Sequence, residues 1–147
     1  MPKKNVGLIG CGTIGTHLAL AIESRTIVNA SLVGLFDVVD TNAKSLQSKL
    51  KSSPEVHPDF NSFIDSPADI IIEAASQEAV RKFGKLIIEA NKDLMIMSVC
   101  ALADGTFLAE LLELAAVRKG RSRIYVPTGA IAGIDAIRSV RHLLDSI

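Results

Sequence analysis

Short apolar runs and amphipathic stretches alternate along the whole of this 147-residue chain. The first run, Val6-Gly7-Leu8-Ile9, is almost continuously apolar, as a strand buried on both faces is. Ile14, Leu18, Ala21 and Ile22 then recur at helical spacing and predict a helix that buries that face. Ser31 to Asp37 reads as a second buried strand. Asn42 to Leu50 reads as a polar helix with Ala43, Leu46 and Leu50 on one side, ended by Ser52-Ser53-Pro54. The stretch from Pro58 to Pro67 is the least regular part of the chain. Asp69 to Glu73 is a third strand, and Ser76 caps a helix whose buried side carries Ala79, Phe83, Leu86 and Ala90. Asp93 to Ser98 is another strand. Asp104 caps a helix bearing Leu108, Leu111, Leu112 and Ala115, which Gly120 stops, and Arg123 to Val126 forms one more strand. This alternation predicts an α/β fold with a doubly wound parallel sheet.

Composition narrows the class. Hydrophobic residues make up 48% of the chain and aromatic ones only 4%, so the core is built on aliphatic side chains. Sixteen basic and 16 acidic residues cancel, and neither nucleic acid nor an anionic membrane surface is an expected partner. Apolar runs are too short for a membrane span, and the glycine-rich N-terminal stretch does not fit a signal peptide. A cytoplasmic protein is expected. Cys11 and Cys100 give neither a disulfide framework nor zinc-ligand spacing, so no metal is expected.

The chemistry begins at Gly10-Cys11-Gly12-Thr13-Ile14-Gly15, a G-x-G-x-x-G between the first strand and the first helix. Bringing a backbone against a diphosphate requires a tight turn, an approach without a Cβ in the way, and close packing of the helix on the strand. Gly10, Gly12 and Gly15 stand where those needs arise. The helix N-terminus adds unpaired N–H groups and the positive end of its dipole. Asp37 ends the second strand about 20 residues further on, where a carboxylate accepts hydrogen bonds from adenosine ribose hydroxyls. Such an acid repels a 2′-phosphate, and Val38-Val39-Asp40 supply no arginine to bind one. NAD is therefore the expected cofactor, with NADP as the alternative. The sheet is of Rossmann type, and ligands lie beyond the carboxyl ends of its strands. The other residues there are Ala74-Ala75-Ser76, Ser98-Val99-Cys100 and Thr128-Gly129-Ala130, mostly small.

At those loops Glu73-Ala74-Ala75-Ser76-Gln77-Glu78-Ala79-Val80, Met97-Ser98-Val99-Cys100-Ala101-Leu102-Ala103-Asp104 and Gly129-Ala130-Ile131-Ala132-Gly133-Ile134-Asp135-Ala136 resemble the L-aspartate dehydrogenase family. The resemblance covers essentially the whole chain, with one departure: Cys100 stands where the family usually has glycine. It implies NAD(P)-dependent oxidation of L-aspartate to iminoaspartate, which hydrolyses to oxaloacetate and ammonia or feeds NAD biosynthesis. It also implies that Gly10, Gly12, Thr13, Ile14 and Gly15 hold the pyrophosphate and that Asp37 binds the ribose. Ala74, Ala75, Ser76 and Ser98 would line the cofactor path, with Ala130 near the nicotinamide. Residues 1–127 are expected to form the NAD(P)-binding domain and 128–147 the beginning of a catalytic and dimerisation domain; the full-length family implies a homodimer.

Family members run well past 147 residues, and the segment carrying their general acid/base histidine has no match here. His17, His57 and His142 fit no motif of that histidine and read as solvated or capping residues. The catalytic set within this chain is therefore expected to be empty. The chain is expected to bind cofactor and oxidise aspartate poorly, because removing a proton from the amine and activating water both need a base titrating near neutrality. Two other readings stay open. One is a nucleotide-binding or sensing module without catalysis. The other is a fragment of a homoserine- or semialdehyde-dehydrogenase-like enzyme with Cys100 as nucleophile, although no base pairs with that thiol in the sequence. Sugar oxidoreductases with the same opening architecture carry Glu-Lys-Pro after the fourth strand, where this chain has Met97-Ser98-Val99.

Overall fold

The structure, a computed structural model, describes residues 3–118 and 120–127. Strands β1 (Lys4–Ile9), β2 (Ala30–Phe36), β3 (Glu55–Val56), β4 (Ile70–Glu73), β5 (Asp93–Ile96) and β6 (Ile124–Tyr125) form one sheet in the order β3-β2-β1-β4-β5-β6. Every pairing is parallel. Between the strands run α1 (Thr13–Glu23), α2 (Asp40–Gln47), α3 (Phe60–Ile64), α4 (Gln77–Glu89) and α5 (Gly105–Val117), with a 3-10 turn at Val99–Ala103 before α5. From β1 the chain first builds outward to β3 and then resumes with β4 on the other side of β1. The strand order thus reverses between β1 and β4, and a crevice opens beyond their carboxyl ends.

The two faces of the sheet are packed differently. All five phenylalanines lie on one face, where Phe36, Phe60, Phe63, Phe83 and Phe107 join Ile71, Ile87, Leu94, Ile96 and Leu111 under α3, α4 and α5. The other face is aliphatic: Leu8, Leu32, Leu35 and Ile72 meet Ala19 and Ile22 of α1 and Ala43 and Leu46 of α2. Fully burying one such side chain contributes about 1.5–3 kcal/mol, so both layers contribute to holding the sheet beneath the crevice.

Three helix faces differ from the sequence expectation, for related reasons. On α1 the buried residues are Gly15, Ala19 and Ile22, while Ile14 is 53% exposed. Bulk marks one stripe, but the small residues are the ones that let this helix sit close to the strands. On α4 the buried set is Val80, Phe83, Gly84, Ile87 and Ile88, and Leu86 faces solvent. On α5 Phe107 and Leu111 are buried and Leu112 is exposed.

The segment read as irregular is structured. Glu55–Val56 pairs with Gly34 and Leu35 of β2. The Asp59 side chain accepts the Ser62 N–H at 2.8 Å and starts α3. That helix delivers Phe63, fully buried, to a slot made by two glycines on adjacent strands. A Cβ on Gly7 would come within 2.9 Å of the Phe63 ring, and one on Gly34 within 3.1 Å of His57 Nε2. His57 is accordingly not a solvated or capping residue: it is 6% exposed and sits edge-on to Phe63, ring centroids 5.6 Å apart. His17 is exposed on α1, as expected. His142, Ala130 and the whole stretch 128–147 lie outside the described residues.

Candidate functional site

The turn from β1 into α1 uses its three glycines in three ways. Gly10 has a φ of +90°, and a Cβ there would lie 2.7 Å from the backbone of Ala74. Gly15 has a different constraint: its Cβ would fall 2.0 Å from the Gly10 carbonyl oxygen. Gly12 has nothing within 4 Å of where a Cβ would stand. Its glycine is required neither by backbone conformation (φ −75°) nor by packing. It also occupies the N-cap of α1 without a side-chain cap. The N–H groups of Gly12, Thr13, Ile14 and Gly15 donate to no acceptor among the described residues. A helix end left uncapped beside an open glycine suits an anion that brings its own acceptors.

Asp37 closes the other side of the turn. Its Oδ2 accepts the Cys11 N–H at 2.7 Å, and its Oδ1 accepts the Val39 N–H at 2.8 Å and the Asn42 amide at 3.4 Å. Cys11 packs beneath it with its thiol turned to the Phe36 carbonyl. Burial, and secondarily the Asp37 charge, push that thiol from its ordinary 9.0 up to about 12, so it is neither nucleophile nor ligand at neutral pH.

Asp37, Gly10, Ala75 and Ser76 line one cleft of about 180 Å³, with Val38, Phe83 and Lys82 also at its wall. Lys82 reaches over the Phe83 ring at 5.2 Å and is a cation beside this cleft that the sequence reading did not single out. Ser76 also caps α4, accepting the Ala79 N–H at 3.1 Å. Ser98, at the end of β5, turns its hydroxyl to Glu73. The structure therefore brings Gly10, Gly12, Thr13, Ile14, Gly15, Asp37, Ala74, Ala75, Ser76 and Ser98 to the same end of the sheet.

Glu73 escaped the sequence reading as a site residue. It is 1% exposed, at the tip of β4, and accepts hydrogen bonds from both the β4–α4 turn and the end of β5. The available signal was a carboxylate ending the run Ile70-Ile71-Ile72, where an apolar residue would continue a buried strand.

Cys100 is exposed. Among the described residues no group of three or more His, Cys, Asp or Glu side chains could hold a metal ion, and no helix is long and apolar enough to cross a membrane.

Comparison with known proteins agrees with this geometry. The chain is 42% identical over 144 residues to the L-aspartate dehydrogenase of Nitrosopumilus maritimus, covering 98% of this chain and 52% of that protein. To the L-aspartate dehydrogenase of Methanocaldococcus jannaschii it is 35% identical over 136 residues, covering 92% and 49%. It thus spans about half the length of these relatives. Among solved structures it is similar to aspartate dehydrogenase from Thermotoga maritima, with a TM-score of 0.67, 24% identity, and coverage of 95% of this chain and 52% of that one. Myo-inositol dehydrogenase from Lactobacillus casei, solved with NAD(H) and myo-inositol, gives a TM-score of 0.79 at 18% identity, with 97% and 42% covered; at such identities these likenesses establish the fold. Residues 10–127 match the family described as homoserine dehydrogenase, NAD binding domain, and with its glycine turn, Asp37 and Rossmann-type sheet the chain belongs to that family of NAD-binding domains.

Proposed function

We propose that this chain is the cofactor-holding part of an L-aspartate dehydrogenase, with residues 1–127 as the domain that carries NAD. Gly12, Thr13, Ile14 and Gly15 would present their N–H groups to the pyrophosphate, Asp37 would accept from the adenosine ribose, and Ala74, Ala75, Ser76 and Ser98 would line the path toward the nicotinamide, near which Ala130 would lie. When bound, NAD supplies the hydride acceptor; the chain supplies position and shape. One observation carries the reading: Gly12 is a glycine that neither packing nor backbone conformation requires, set at an uncapped helix N-terminus. The preference for NAD over NADP rests on Asp37, whose carboxylate faces the cleft that a 2′-phosphate would have to share.

L-aspartate as substrate follows from the named relatives. The same reading implies a homodimer for the full-length family and a cytoplasmic location. Among the described residues no histidine lines the cleft of Asp37, Ala75 and Ser76. The carboxylates of Asp37 and Glu73 are engaged as acceptors, His57 is buried on the far side of β2, and His17 lies on the outer surface of α1. On this reading the 147-residue chain is expected to bind NAD and to turn over aspartate slowly.

Thermal unfolding with and without nucleotide tests both parts. At about 100 times the dissociation constant, NAD raises stability by about 2.7 kcal/mol, and NADP does less. Failure of NAD to raise the midpoint at any concentration, or aspartate-dependent NADH formation at the rate of a full-length enzyme, sinks the proposal.

A further inference from the structure

Glu73 lies in register with Ile9 of β1 and Ile96 of β5, at the carboxyl ends of three adjacent strands. Its Oε1 accepts from the Ala75 N–H at 2.8 Å, the Ser76 N–H at 2.9 Å and the Ser98 hydroxyl at 2.9 Å. Its Oε2 accepts from the Ser98 N–H at 3.1 Å. All four partners are donors, the pattern that suits a carboxylate and not a carboxylic acid. Among the described residues it forms no ion pair.

A buried charge without a cation is an expensive way to shape two turns. A neutral side chain with one acceptor oxygen could take the three hydrogen bonds that Oε1 takes, from Ala75, Ser76 and the Ser98 hydroxyl. The carboxylate does two things a neutral amide cannot: its second oxygen also accepts from the Ser98 N–H, and it leaves a negative charge beneath both turns. The position matters as well. If Asp37 takes the ribose and Gly10–Gly15 the pyrophosphate, the nicotinamide half of the dinucleotide falls on the β4–β5 side of the switch point, above Glu73. The oxidised nicotinamide ring is a cation and the reduced ring is neutral.

Resting on the NAD reading above, we propose that Glu73 is a positioning residue that locks the Ala74–Ser76 turn and Ser98 into one platform and whose charge favours the oxidised over the reduced cofactor. Its role is exercised through Ala75, Ser76 and Ser98.

The test uses the full 147-residue chain as wild type, E73Q and E73D. Dissociation constants are measured for NAD+, NADH and ADP-ribose, which lacks the nicotinamide, and circular dichroism melts report the fold. In E73Q the affinity for NAD+ falls on the order of tenfold more than that for NADH, the scale of one charge–charge interaction through protein. ADP-ribose follows NADH. In E73D, which keeps the charge and draws it back by one methylene, all three weaken while the NAD+ to NADH ratio holds. A folded E73Q with the wild-type ratio overturns the proposal, because a purely structural role weakens both redox forms alike. If E73Q does not melt cooperatively, E73M, close in volume and also neutral, takes its place: an NAD+ affinity that falls on the order of tenfold more than that for NADH supports the proposal, and equal losses overturn it. A wild-type chain that binds none of the three nucleotides fails one step earlier. That result removes the NAD reading, and this inference with it.

Discussion

The backbone N–H of Cys11 and the side chain of Asp37 are joined by a 2.7 Å hydrogen bond that ties the glycine turn to the end of β2. The carboxylate expected to meet the ribose is therefore also part of the turn that meets the pyrophosphate. Changing it disturbs both. In Asp37→Asn the amide would either turn its NH2 group to the Cys11 N–H or give up its bond to the Val39 N–H. Leaving a donor unpaired in this half-buried place costs about 1–3 kcal/mol. We expect a lower urea midpoint, weaker NAD binding, and a smaller preference for NAD over NADP because the negative charge is gone. Unchanged selectivity between the two nucleotides in a folded Asp37→Asn would remove Asp37 from the recognition of the ribose.

The two cysteines are expected to behave as opposites. Cys100 is exposed, and Cys11 is buried with its thiol pushed up to about 12. At pH 8 iodoacetamide should label Cys100 and leave Cys11 untouched in the folded chain, as read by peptide mass spectrometry. The same shift has a consequence for stability. Below pH 9 the Cys11 thiol is neutral whether the chain is folded or not. Above pH 9 the unfolded chain loses that proton while the folded chain keeps it, so stability falls as pH rises from about 9 toward 12. Comparison with Cys11→Ala isolates this contribution, since other groups titrate in both proteins. Parallel stability curves for the two between pH 8 and pH 10 would contradict the assignment.

Most of the sheet and the whole glycine turn were legible because they rest on local rules. Apolar runs bounded by small and polar residues give parallel strands, and G-x-G-x-x-G has a mechanical reading at each glycine. What escaped depends on contacts distant in sequence. Phe60 and Phe63 lie in a stretch flanked by prolines, too short for a periodicity to emerge; Phe63 is buried in the slot that Gly7 and Gly34 open on the sheet, and Phe60 stacks on Phe83. The faces of α1 and α4 were misphased because Gly15 and Gly84 mark the close contacts, whereas a count of large side chains marks Ile14 and Leu86. Glu73 escaped for the opposite reason. Its role is to gather donors from two loops, one of them 25 residues away, and no short pattern encodes that.

His57 offers a check on that distant packing. Its Nε2 is buried, has no hydrogen-bond partner among the described residues, and lies 3.9 Å from the nearest Glu55 oxygen. An orphaned polar atom of this kind costs about 1–3 kcal/mol relative to a satisfied one. His57→Leu is close in volume and removes the nitrogen, at the loss of the edge-on contact with Phe63. The two effects offset each other, and the melting temperature should stay level or rise. A loss of stability beyond about 1 kcal/mol would mean that the imidazole has a partner holding it in place.

Gly12 and Gly15 separate the glycines that shape the turn from the one that meets a ligand. In Gly15→Ala the new methyl would lie 2.0 Å from the Gly10 carbonyl oxygen. Both atoms belong to packed backbone, so α1 must move away from β1. The cost is about 3 kcal/mol or more, and nucleotide binding falls with the fold. In Gly12→Ala the methyl meets nothing within 4 Å, and the φ of −75° suits alanine. Alanine is a poorer N-cap than glycine, so stability should fall, by about 1 kcal/mol or less. The methyl would, however, occupy the open space in front of the α1 N-terminus, where the pyrophosphate is proposed to lie. NAD affinity should therefore drop by about tenfold or more, equivalent to about 1.4 kcal/mol, while the unliganded chain still melts cooperatively and only slightly earlier. Isothermal titration on the two variants, with their melting curves alongside, resolves the pair. If Gly12→Ala binds NAD as tightly as wild type, the anion does not sit at this helix end and the cleft serves some other ligand.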